Sequence, residues 1–88
     1  MPGGKFPFSA TLGLLWLKRG DAGEAARWLR RSRPGEVDYA EARFELAIIA
    51  LRGGDRGEAR QALAQAVVAQ PKLRARAESD SALAPLLR

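Results

Sequence analysis

The sequence contains no cysteine and no histidine. Disulfides, thiolate or imidazole metal sites, and a Cys or Ser nucleophile served by a histidine base are therefore excluded. The missing cysteine carries no information about redox compartment. No run of about 20 apolar residues occurs, so no transmembrane helix is expected. Phosphate-cradling chemistry is absent too. Gly53-Gly54-Asp55-Arg56-Gly57 has the glycines but not the Lys-Ser/Thr ending, and no strand precedes it. Cofactors and metals are not expected.

What is present suits a small folded domain. The 88 residues allow one domain, and a hydrophobic share of 47% is too high for disorder. The net charge is +5, and twelve of the fifteen basic residues are arginine. Such a balance fits an anionic partner, or simply solvated helix faces, which the interspersed Asp and Glu favour.

The strongest signal is a duplication. Gly20-Asp21-Ala22-Gly23-Glu24-Ala25 returns 34 residues later as Gly54-Asp55-Arg56-Gly57-Glu58-Ala59. At the same offset Leu12 meets Leu46, Leu14 meets Ile48, Leu15 meets Ile49, Leu17 meets Leu51 and Leu29 meets Leu63, while Gly13 matches Ala47. A period of this length indicates one supersecondary unit repeated.

Local signals then place the helices. Residues 1–5 read as a flexible start, because two glycines and a proline favour no regular structure. Lys5 with the apolar Phe6–Leu17 run has the length of a signal-peptide core, but Lys18-Arg19-Gly20-Asp21 comes next in place of a small-residue cleavage site. We read the run as helix. Helix one spans about Ser9 to Arg19, with Ser9 as N-cap and Gly20 as left-handed stop. Asp21, with Glu24 three residues on, caps helix two, which ends near Ser32 ahead of Pro34. Asp38 with Glu41 repeats the cap before helix three, about Tyr39 to Arg52. Asp55 with Glu58 does so before helix four, which ends near Gln70. A short helix from Leu73 and a last turn capped by Ser79 or Asp80, interrupted by Pro85, complete the chain, with Leu73, Leu83 and Leu86 facing inward.

These residues resemble the tetratricopeptide repeat. The first unit presents Leu12-Gly13, Trp16, Gly20-Asp21, Ala25, Leu29 and Ser32. The second presents Leu46-Ala47, Gly54-Asp55, Ala59, Leu63, Ala66 and Pro71. The chain departs from the pattern at Ser9 and Arg43, where the family has an opening tryptophan, at Ala50, where it has a second aromatic, and at Val37, where it has a closing proline. The resemblance implies an all-α solenoid of two antiparallel helix pairs, residues 6–39 and 40–73, with a C-terminal cap over 74–88. It also implies a non-catalytic protein-interaction module whose first helices line a concave groove for peptides or helices. The groove positions carried over are Ala10, Leu14, Leu17 and Lys18 from helix one, and Glu41, Phe44, Ile48, Leu51 and Arg52 from helix three. They are mostly aliphatic, so an apolar segment is the expected occupant, with Lys18 and Arg52 orienting a polar or acidic end. An acidic C-terminal tail is not.

Helix one is apolar nearly all round, through Leu12, Leu14, Leu15, Trp16 and Leu17. Something must cover it: Phe6 and Phe8, the terminal cap, or a second copy of the chain. An alternative surface is basic. Arg27, Arg30, Arg31 and Arg33 cluster late in helix two and could bind an anion, but only Trp28 is interleaved and no base-reading motif exists, so nucleic acid is not the expected partner. Catalysis is not expected: the Asp residues are caps, and Glu41 and Glu45 read as a solvated pair. The expected compartment is cytoplasmic.

Overall fold

The computed structural model describes residues 8–88. All regular structure among them is helical: α1 (Ser9–Lys18), α2 (Ala22–Arg31), α3 (Tyr39–Arg52), α4 (Arg56–Ala69), α5 (Leu73–Glu78) and a 3-10 helix (Ala84–Leu87). The expected flexibility of residues 1–5 and the covering role of Phe6 lie outside the described residues.

The two Gly-Asp junctions are built alike. Gly20 has φ +86° and Gly54 has φ +87°, a conformation that disfavours a Cβ. The Gly20 N–H donates to the Leu17 carbonyl at 3.0 Å, and the Asp21 N–H to that of Trp16 at 3.1 Å. In the second copy Gly54 donates to Leu51 at 3.1 Å and Asp55 to Ala50 at 2.9 Å. This bonding satisfies carbonyls that a helix end leaves without partners. The aspartate then turns to the next helix: Asp21 Oδ1 accepts from the Glu24 N–H, and Asp55 Oδ1 from the Glu58 N–H, both at 2.9 Å. One Gly-Asp pair thus stops one helix and starts the next. With so short a link, helices that pack on each other must run antiparallel.

The start of α3 differs from expectation. Asp38 sits in the left-handed region at φ +67° and forms no side-chain cap. Its Oδ2 instead accepts from the Thr11 hydroxyl at 3.1 Å. Aspartate tolerates this backbone better than most residues, and the bond to α1 compensates for the strain. Ser9 is likewise not a cap: it is the first residue of α1, is buried, and comes after Phe8 in the cap position. The cap comes from elsewhere in the chain. Glu36 Oε1 accepts from the Ala10 N–H at 2.9 Å, and its Oε2 accepts from the Arg33 N–H at 2.8 Å. Pro85 does not interrupt the last turn. It lies at the start of the 3-10 helix, where its missing N–H costs nothing, and Asp80 Oδ1 caps the preceding turn through Ala82 at 2.8 Å.

In tertiary structure α1 packs on α2 and α3 on α4. α3 also contacts both α1 and α2, while α5 and the 3-10 helix pack on α4. Leu29, Leu46, Leu63 and Leu83 are the largest fully buried side chains, each contributing about 2 kcal/mol through burial. Small residues let the helices close on them. A Cβ at Gly13 would collide with Leu29, lying 2.7 Å from its Cγ. Leu73, Leu83 and Leu86 are buried, as the cap reading expects. The cap nevertheless lies against α4 and cannot cover α1, where Phe8 (54% exposed) and Leu15 (50%) remain open.

Candidate functional site

On α3, positions 41, 45 and 48 fall on one face at 100° per residue, and a hollow lies on either side of that ridge. The first, about 380 Å³, is lined by Leu14, Leu17 and Lys18 of α1 and by Glu41 and Glu45 of α3. The second, about 440 Å³, is lined by Phe44 and Ile48 of α3 and by Ala75, Arg76, Ser79 and Asp80 around α5. Leu14, Leu17 and Ile48 are partly buried, with one flank on the core and the other toward the hollows.

Leu14, Leu17 and Lys18 thus line the first hollow and Ile48 the second, while two residues expected to be open in the groove are buried. Ala10 is fully buried and Phe44 is 3% exposed. Phe44 belongs to the core because α5 closes over this part of α3, and Ala10 because α1 packs on α2 and α3, with its N–H bonded to Glu36. Arg76 of α5 lies 4.6 Å from the centre of the Phe44 ring and 3.2 Å from Glu41 Oε1. Leu51 and Arg52 line neither hollow.

Glu45 departs most from the sequence reading. It is partly buried, not fully solvated, and is in no ion pair among the described residues. Burial pushes its carboxyl above the usual carboxylate range, and Glu41 adds to the push, while Arg76 and Arg52 pull it back. Its i, i+4 relation to Glu41 and i, i+3 relation to Ile48 are the signal that sets the three on one face of α3. What the sequence lacked was the neighbouring helix that shields it.

The basic face of α2 is largely spent on internal pairs. Arg30 makes a two-pronged contact with Glu58, at 2.7 and 3.0 Å, which ties α2 to α4. Arg27 approaches Glu24 at 3.4 Å, and Arg31 lies over the Trp28 ring at 5.4 Å. Arg43, which stands where the family has tryptophan, donates to the carbonyls of Ser32 at 2.6 Å and Arg30 at 3.2 Å. It thereby covers the C-terminal end of α2, a position where a cation is favourable.

A further opening, about 530 Å³, lies elsewhere, between Pro34, Gly35, Tyr39 and the α4 residues Ala64, Gln65, Val68 and Ala69. No charged side chain lines it, and the buried Gln65 Oε1 has no hydrogen-bond partner among the described residues. Among the described residues no helix is long and apolar enough to cross a membrane, and no acidic cluster is suited to hold a metal. No family model, curated protein or solved structure matches the chain.

Proposed function

We propose that the chain is a two-unit helical repeat of tetratricopeptide type, acting as a non-catalytic protein-interaction module that holds an apolar peptide or helix in the groove along α3. The repeat assignment is supported by two Gly-Asp junctions with the same hydrogen bonding, 34 residues apart, each joining a packed helix pair. The observation that carries the binding reading is that Leu14 and Leu17 line one hollow beside α3 and Ile48 another. Partly exposed hydrocarbon in a concave surface gains most from covering by another apolar surface.

Selection of peptides displayed on phage, with titration of the enriched sequences, tests this reading. Apolar sequences should be enriched. Leu17→Glu and Ile48→Glu should each weaken their binding about tenfold or more, equivalent to at least about 1.4 kcal/mol, with the helical circular dichroism unchanged. Equal binding by both variants overturns the proposal. Phe44 is unsuitable for this test, because its ring is core.

A further inference from the structure

We infer that the occupant of the groove is a segment carrying a lysine or arginine within one helical turn of its apolar anchor, with the anchor between Leu14 and Leu17 and the cation against Glu45. This rests on the groove reading above and specifies the class of partner. The notch is lined by two leucines, one lysine and two glutamates. Of the glutamates, Glu41 already has a partner in Arg76, at 3.2 Å. Glu45 has none among the described residues, although burial raises the cost of its charge.

The charged groups around Glu45 are Lys18 from α1, Glu41 and Arg52 from its own helix, and Arg76 from α5. Arg76 is held by Glu41 and the Phe44 ring. Lys18 is exposed and ion-paired with nothing among the described residues. It can swing toward Glu45 when the notch is empty, so it competes with an incoming cation. An acidic segment would meet two carboxylates at the notch. A cationic one supplies the missing counter-charge and shields it from water, where such a pair is stronger. The chain as a whole carries +5, so its long-range field repels cations. A preference for a cationic peptide would thus report the notch and not the overall charge.

The test uses a leucine-patterned amphipathic peptide in three versions, with lysine, glutamine or glutamate beside the leucines. Each is titrated into the full chain by fluorescence anisotropy. The lysine version should bind about tenfold tighter than the glutamate version. Glu45→Gln should shrink that ratio to about threefold or less and leave the chain folded, since it removes a charge that burial disfavours. Lys18→Met should widen it. Lowering the pH from neutral to about 4 should erode the preference for the lysine over the glutamine version in the parent chain, and far less in Glu45→Gln, because a protonated Glu45 no longer attracts the cation, whereas the glutamate peptide would itself be protonated there. A glutamate peptide that binds as well as the lysine one, or a ratio unchanged in Glu45→Gln, overturns the inference. If the glutamine peptide matches the lysine peptide and Leu17→Glu abolishes both, the groove stands and the cation preference falls. If Leu17→Glu abolishes neither, both fall. Light scattering that shows a dimer broken by Leu17→Glu would make a second copy the occupant, and would likewise overturn the inference.

Discussion

The pair α1–α2 and the pair α3–α4 are near copies at their junctions and unlike in what surrounds them. Both turn on a left-handed glycine with the same bonding, and Leu29 and Leu63 at matching positions are both fully buried. Yet α3–α4 is flanked twice, by α1 and α2 on one side and by α5 with the 3-10 helix on the other. The first pair has a described neighbour on one side only. Leu15 is half exposed, whereas its counterpart Ile49 packs partly against the core. At this position an apolar residue is therefore half exposed in one unit and partly covered in the other. Burial here depends on a residue's neighbours as much as on its identity.

The comparison is most sharply tested at the two leucines. Leu63→Ala and Leu29→Ala should each cost about 2–5 kcal/mol in chemical denaturation, with Leu63→Ala the more costly. A larger loss at Leu29 would show that flanking does not govern how well the site closes around the cavity. Next come the small residues opposite them. Gly13→Ala gains helix propensity but must displace Leu29, and should destabilise by about 1–3 kcal/mol. Ala47→Gly should cost about 1 kcal/mol through backbone entropy. A neutral or stabilising Gly13→Ala in thermal melts would mean that α1 and α2 can separate where α3 and α4 cannot. The smallest effect is expected at the caps, where Asp21→Ala and Asp55→Ala should each lose about 1 kcal/mol. Because both bonds measure 2.9 Å, near-equal losses are the expected result. Melting shifts that differ clearly between the two would break the equivalence of the junctions.

Much of the local structure was legible in the sequence. The helix boundaries derive from the glycines, the capping acids at positions 21 and 55, and the proline stops. The third Asp-x-x-Glu pattern failed at Asp38 because the motif cannot register that Thr11, 27 residues earlier, offers a competing bond. For the same reason Glu36 was invisible as the cap of α1, and Arg43 as the cover of α2: both act on groups remote in sequence. Register placed Leu14, Leu17 and Ile48 toward the surface, and each lines a hollow. Ala10 and Phe44 are buried instead, because register gives a direction on a helix and not the depth of the layer above it. The sequence showed the spacing of Glu45 from Glu41, but its environment depends on α1 and α5 packing around α3.

The two oxygens of Glu36 hold the opening turn of the first helix to the segment that leads into the third. That double grip makes the front hairpin dependent on the stretch of chain behind it. A fragment cut after residue 35 would lose the clasp and the Thr11–Asp38 bond together, so its leading turn should fray. In the intact chain the amide hydrogen of Ala10 should exchange in step with the inter-hairpin linker and not with its own helix.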